Sequence, residues 1–173
     1  MKRGQKKMKQ ILKQYYKMAK SVNKDIVIKK VPCDWSCYPA LNTINVPMVE
    51  TEQGEQEFLQ SVYDKIPIQY QELGTNINSI VWSFLHELGH IECGHTADRQ
   101  KAKRWFANLL SKIDSKTTQK WASDIYFNLE EEQEATKWAV RFAIVHYQEV
   151  KKFEKKLLKK YKEFYNRILT KKI

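Results

Sequence analysis

The sequence of 173 residues predicts one α+β domain that is mainly α-helical, with a small β-sheet near its N-terminal side. From Asp98 to the last residue there is no glycine or proline, and apolar residues recur at three- and four-residue spacing. The two short β-branched segments predicted as strands both lie in the first third of the chain. The length suits one sizeable hydrophobic core and leaves little room for a second.

The first third of the chain predicts a helix followed by two strands. In Gln5–Ser21, apolar residues mark one face and lysines the other, as in an amphipathic helix. That apolar face consists of Met8, Ile11, Leu12, Tyr15, Tyr16 and Ala19. Asp25–Val31 is short and β-branched, which predicts a strand ending at Pro32. Asn42–Val46 is predicted as a second strand, closed by Pro47.

The rest of the chain predicts mainly helices. Glu55–Asp64 has helical spacing, while Ile66–Tyr70 fits either an edge strand or a loop. Three later helices are predicted at Arg99–Ile113, Thr117–Phe127 and Leu129–Tyr147. The last of them is expected to continue to Lys172 as a long basic helix with a heptad-like apolar stripe. We expect this stripe to pack on the domain rather than to bind a partner or a second copy.

A central helix carries the pentapeptide HELGH at residues 86–90. Asn76 or Asn78 can cap the start of this helix, and Gly94 is expected to end it. Two histidines four residues apart lie on one face of a helix, so His86 and His90 can bind one metal ion. A zinc ion with three protein ligands keeps one position for water and lowers the pKa of that water to roughly 7. A carboxylate at Glu87 could then accept a proton from this water, which is the chemistry of a zinc hydrolase.

The third metal ligand has to come from elsewhere in the chain. The longer pattern HExxHxxGxxH is excluded, because it needs glycine at position 93 and histidine at position 96. His95 lies beyond the expected helix end and is the weaker candidate. The better candidate is the acidic run at residues 130–134, which leads into an apolar helical stripe. Spacing allows either Glu131 or Glu132 to lie at the edge of that stripe and does not choose between them.

The two segments together resemble a known family. HELGH followed some forty residues later by EQEATKWA at residues 132–139 is similar to the ImmA/IrrE family of zinc metallopeptidases, whose signatures are HELGH and E-x-x-A-N/D-x-F-A. The resemblance selects Glu132 as the third ligand and implies a gluzincin-like site with Zn²⁺ as the cofactor. Thr136 replaces the usual Asn or Asp and would support a ligand more weakly, while Trp138 replaces the usual Phe.

The resemblance covers roughly residues 25–145 and also implies an activity. With the length and charge of the chain, we expect a single metallopeptidase domain over residues 1–173, with a basic N-terminal helix (1–24), a zincin-like core (25–147) and a basic C-terminal helix (148–173). The expected substrate is a helix-turn-helix repressor, cut by an antirepressor of a phage or other mobile element. His95, Tyr126 and His146 are alternative donors to the oxyanion of the transition state, and the sequence does not choose among them. The alternative function is a non-proteolytic, zinc-containing regulator that binds a repressor or DNA.

Charge and cysteine content limit the partners and the compartment. Residues 1–30 carry eleven Lys/Arg and one acid, residues 149–173 carry ten and three, and residues 31–148 carry ten and sixteen. The basic ends could bind nucleic acid or an acidic partner surface, although we favour a role in solubility. The sequence contains neither a long apolar run nor a signal peptide, so we expect a cytoplasmic protein without a membrane partner. Cys33, Cys37 and Cys93 are expected to be free thiols rather than a second zinc site with His95.

Overall fold

The computed structural model describes residues 2–32, 35–47, 77–95 and 128–169, together with residues 108, 112, 125 and 126. The described helices are α1 (Lys2–Val22), α2 (Ser79–Glu92), α3 (Glu130–Val145) and α4 (Tyr147–Leu169). The described strands are β1 (Val27–Val31), β2 (Ser36–Tyr38) and β3 (Thr43–Pro47). The prediction of an α+β, mainly helical fold is confirmed.

Several predictions concern other parts of the chain. The predicted helix at Glu55–Asp64 and the segment Ile66–Tyr70 lie outside the described residues, as does Cys33. The same holds for nearly all of the two helices predicted at Arg99–Ile113 and Thr117–Phe127. Within the ranges that are described, no helix combines the length and the apolar composition that crossing a membrane requires.

The sheet has the strand order β1-β3-β2, in which β3 runs parallel to β1 and antiparallel to β2. Every residue of the central strand β3 is buried. Strand β2 was not predicted, because three residues are too few to display an alternating pattern. It is held by its pairing with β3, to which the Asn45 side chain adds a hydrogen bond of 3.0 Å to Ser36 Oγ. The connection to β3 passes through Asn42 at φ 45°, a left-handed conformation that asparagine tolerates better than most residues.

Helices α1 and α4, which carry most of the basic charge, pack against each other. Ile11 on α1 and Leu157 on α4 are fully buried, and the hydroxyl groups of Tyr15 and Tyr161 lie 3.1 Å apart across the two helices. Tyr16 was predicted on the buried face of α1, but its ring is exposed. The Lys20 ammonium group lies over this ring, 5.1 Å from its centroid. Such a contact lets an aromatic ring on the solvent side interact favourably with a neighbouring cation.

The predicted stripe of the C-terminal helix lies in the hydrophobic core. Its buried members are Val150, Phe153, Leu157, Tyr161 and Phe164. The aromatic members extend a cluster in which the ring of Tyr15 lies 5.0 Å from that of Phe84 and 5.8 Å from that of Phe153. Removing residues 149–173 would therefore expose the core, so such a truncation cannot test whether this helix docks a partner.

A single core substitution tests this packing. We expect Leu157→Ala to lower the free energy of unfolding by about 2–5 kcal/mol, because it removes a fully buried side chain and leaves a cavity. Lys156→Ala, on the exposed side of the same helix, should change it by less than about 0.5 kcal/mol. Urea unfolding followed by circular dichroism measures both. Equal stability of the two variants would mean that α4 does not contribute to the core.

The predicted single helix from Leu129 to Lys172 is interrupted at His146, which has φ −108° and ψ 33°. No glycine or proline marks this break in the sequence. The two helices that it separates have different neighbours, since α3 packs mainly on α2 and α4 mainly on α1. The break lets each apolar stripe face its own partner, which local sequence patterns do not reveal.

Candidate metal centre

Helix α2 carries HELGH, and hydrogen bonds fix its start. At its start the side chain of Asn78 accepts a hydrogen bond from the backbone N–H of Ile80 (3.0 Å). The backbone N–H of Asn78 donates in turn to the carboxylate of Glu154 on α4 (3.0 Å). The buried face of α2 consists of Ile80, Val81, Phe84, Leu85 and Leu88. This face anchors the helix in the core and directs the neighbouring histidines towards α3.

Helix α3 begins with three glutamates, whose negative charge favours a helix N-terminus. Glu130 is exposed and Glu131 is partly buried, whereas Glu132 is only 2% exposed. The structure thereby distinguishes the two carboxylates that spacing alone left open. Glu132 is the acidic residue that faces α2.

The side chains of His86, His90 and Glu132 converge on one point. His86 Nε2 lies 3.0 Å from Glu132 Oε2 and 3.1 Å from His90 Nε2. His90 Nε2 lies 3.4 Å from Glu132 Oε1. Within the described ranges, these three residues form the one group of His, Cys, Asp or Glu side chains arranged to hold a metal ion.

This convergence depends on a close approach of α2 and α3 at Gly89. A Cβ atom added to Gly89 would lie 2.5 Å from the backbone oxygen of Ala135 and 3.0 Å from its Cα. The helices can therefore pack at this distance only where one of them has no side chain. The glycine within HELGH therefore sets how closely α2 can approach Ala135 of α3.

The hydroxyl group of Thr136 determines which nitrogen of His86 carries a proton. It donates its one hydrogen to the backbone oxygen of Glu132 (2.7 Å) and lies 3.0 Å from His86 Nδ1. With its hydrogen used, the hydroxyl oxygen can only accept from His86 Nδ1–H. In the neutral imidazole, Nε2 then keeps its lone pair and directs it at the carboxylate of Glu132.

The facing atoms of these three side chains have the chemistry and the spacing of a metal site. A lone pair on nitrogen and a carboxylate oxygen repel each other at 3.0 Å unless a cation lies between them, and one proton cannot bridge both histidines and the carboxylate. For metal bonds of about 2.0–2.1 Å, tetrahedral geometry separates the ligand atoms by about 3.3 Å. The two histidine nitrogens are 3.1 Å apart, and the nearest Glu132 oxygen to each is 3.0 or 3.4 Å away, which brackets this value. The residues therefore fit a small tetrahedral cation.

Glu87 lies next to one histidine of the pair and three residues before the other. Its side chain is buried, although that of His86 beside it is 20% exposed. Within the described part of the chain, the Glu87 carboxylate makes no hydrogen bond or ion pair to a protein group. A buried carboxylate of this kind is available to exchange a proton with a water molecule.

The three candidate donors to an oxyanion have different surroundings. His95 is buried, and its Nδ1 lies 2.7 Å from His90 Nδ1. Its Nε2 lies 3.0 Å from Glu134 Oε2. Both nitrogens therefore contact protein groups, and neither is free to donate to an oxyanion. His146 lies fourteen residues after Glu132, about 21 Å along α3 at 1.5 Å per residue, and its Nδ1 contacts Glu149 (2.7 Å). It is too distant to act at the site. Tyr126 is partly buried six residues before Glu132 and stays a candidate.

The described cysteines are free thiols. Cys37 is buried, and Cys93 at the end of α2 is partly buried. Burial raises the pKa of the Cys93 thiol, and the negative charges of Glu134 and Glu92 raise it further. The thiol is therefore held in its protonated form, which is a poor metal ligand.

Two contacts of this site were not predicted from the sequence. Glu134 was part of an acidic run with no separate role, yet it contacts His95 across 39 residues of chain. The contact between His90 and His95 was not predicted either. Gly94 could have indicated it, because a glycine at a helix end reverses the chain and can bring the next residue back to the last turn of the helix.

Comparison of the chain with protein-family models, curated proteins and solved structures found no match. The resemblance to the ImmA/IrrE family therefore depends on the two motifs at residues 86–90 and 132–139.

Proposed function

We propose that this chain is a zinc metallopeptidase. The proposal depends on one observation above all: the Nε2 atoms of His86 and His90 lie 3.1 Å apart, and the two carboxylate oxygens of Glu132 lie 3.0 and 3.4 Å from them. The two histidines lie on the helix that also carries Glu87, and Glu132 lies on α3. Two histidines and one glutamate are a ligand set of catalytic zinc sites, which leave a fourth position open. A purely structural zinc site has no need for a buried carboxylate next in sequence to one of its ligands.

The residues of the chain would divide the chemistry among them. When bound, zinc supplies a Lewis acid that polarises a carbonyl group and lowers the pKa of a water molecule to about 7. His86, His90 and Glu132 hold the metal ion. Glu87 takes a proton from the attacking water and later returns it to the leaving amine. Tyr126 is the donor we favour for the developing oxyanion, because His95 is engaged with other groups and His146 lies too far away.

The proposed substrate is a helix-turn-helix transcriptional repressor, and the proposed role is that of an antirepressor in a phage or mobile element. This part of the proposal comes from the family resemblance. The exposed lysines of α1 and α4 offer positive charge with which a repressor, or the DNA that it binds, could interact.

Cleavage of the repressor tests this function directly. The purified protein would be incubated with the helix-turn-helix repressor encoded beside its gene, and intact-mass analysis would follow the repressor. We expect two fragments whose masses identify one scissile bond. A chelator should abolish the cleavage and added zinc should restore it. An intact repressor after incubation with the zinc-loaded protein would contradict the proposed activity.

The second candidate is a regulator that binds its partner without cutting it. The distribution of charge favours it, because lysines occupy the exposed sides of both α1 and α4. Binding of DNA through these lysines should weaken steeply as salt is raised, whereas cleavage of a protein should depend on salt less. A repressor that loses activity without being cut would support this alternative.

A further inference from the structure

A chain of hydrogen bonds leads from His90 to the protein surface through two residues that are not metal ligands. His90 Nδ1 lies 2.7 Å from His95 Nδ1, and His95 Nε2 lies 3.0 Å from Glu134 Oε2. The His95 side chain is completely buried, while that of Glu134 is 42% exposed. The chain thus joins a buried nitrogen of the metal centre to a carboxylate at the surface.

The carboxylate of Glu134 sets the direction of both hydrogen bonds. An ionised carboxylate only accepts, so His95 Nε2 must carry a hydrogen and donate it. In a neutral imidazole the other nitrogen is then an acceptor, which leaves His95 Nδ1 to accept from His90 Nδ1–H. His90 Nε2 consequently keeps its lone pair, and this is the nitrogen that faces His86 and Glu132.

The end of α2 brings His95 to this position. The N–H of Gly94 donates to the oxygen of Ile91 (3.0 Å), and the N–H of His95 donates to the oxygen of His90 (3.1 Å). These two bonds form a Schellman motif, which requires a left-handed residue at Gly94. Gly94 has φ +67°, so the chain reverses there and the ring of His95 returns to the ring of His90.

We propose that His95 and Glu134 are positioning residues that hold His90 in the tautomer and orientation needed to bind the metal, an inference that rests on the proposed metal centre. His86 is held separately by Thr136, so each ligand histidine has its own support. Mutation of a residue that hydrogen-bonds to a metal-ligating histidine typically weakens metal binding by about 10- to 100-fold.

Zinc affinity, measured by competition with a chromogenic chelator, tests the proposal. We expect His95→Leu and Glu134→Ala each to weaken zinc binding by about 10- to 100-fold. Glu130→Ala is the matched control, because it removes the same charge from an exposed position in the first turn of the same helix. His95→Gln should restore part of the affinity, since an amide can accept from His90 and donate to Glu134.

Two further measurements separate positioning from folding. Urea unfolding of the zinc-free proteins reports stability, and the partly exposed Glu134→Ala should unfold like Glu130→Ala while binding zinc more weakly. The ¹⁵N shifts of the histidine rings in the wild-type protein should identify His95 as protonated at Nε2 and His90 as protonated at Nδ1. A proton on the other nitrogen of His95 would overturn the proposal.

Different results would overturn the positioning role and the proposed metal centre. Tight zinc binding by wild type, with equal affinity in Glu134→Ala and Glu130→Ala, would overturn the positioning role and leave the metal centre intact. Absence of zinc binding by wild type would overturn the metal centre and with it this role. Weaker zinc binding by Glu134→Ala would support the role whether or not the repressor is the substrate.

Discussion

Replacing Glu87 with glutamine is expected to abolish peptide cleavage and to leave zinc binding unchanged. Glutamine has nearly the same size and shape as glutamate but cannot accept a proton at neutral pH. Losing a general base typically lowers a rate by about 10²- to 10⁴-fold, which would place cleavage below detection in an ordinary assay. The three metal ligands stay in place, because Glu87 makes no contact with them among the described hydrogen bonds and ion pairs.

The measurement compares the rate of repressor cleavage with the zinc content of the same preparation. Glu92→Gln is the matched control, because it makes the same change near the end of the same helix, where Glu92 is exposed and hydrogen-bonded to Asn23 (3.1 Å). This variant should cleave like wild type. A zinc-loaded Glu87→Gln protein that cleaved at the wild-type rate would rule out Glu87 as the base.

Much of the candidate site could be predicted because its signals are local. Two asparagines before α2 predict its cap, which Asn78 provides, and Gly94 predicts the end of the helix. Asn78 and Gly94 act through hydrogen bonds within a few residues of themselves. For the same reason the position of His86 relative to His90 follows from helical geometry alone.

The features that could not be predicted depend on contacts between distant segments. Whether Glu131 or Glu132 faces α2 depends on how α3 rotates against its neighbour, and three- and four-residue spacing allows both. The sequence predicts His95 as one possible donor to an oxyanion, but it does not reveal that His95 Nε2 contacts Glu134. Strand β2 and the break at His146 likewise exist because of pairing and packing with other elements.

Gly89→Ala is expected to destabilise the protein, although helix propensity alone predicts the opposite. Alanine in place of glycine inside a helix usually stabilises by about 1 kcal/mol. Here the new Cβ would lie 2.5 Å from the backbone oxygen of Ala135, so α2 and α3 would have to move apart. Overpacking of this kind costs about 1–3 kcal/mol, which outweighs the gain in propensity.

The same movement should weaken zinc binding, because His86 and His90 lie on one of the two helices and Glu132 on the other. We expect a loss of affinity of about tenfold or more, measured by chelator competition, together with a lower midpoint of urea unfolding. Adding Ala135→Gly should not restore either property, since the atom that the new Cβ meets is a backbone oxygen that every residue at position 135 retains. Rescue by that second substitution would mean that the side chain of Ala135, and not its backbone oxygen, limits the approach. A Gly89→Ala protein more stable than wild type would mean that the contact at Gly89 leaves room for a Cβ atom.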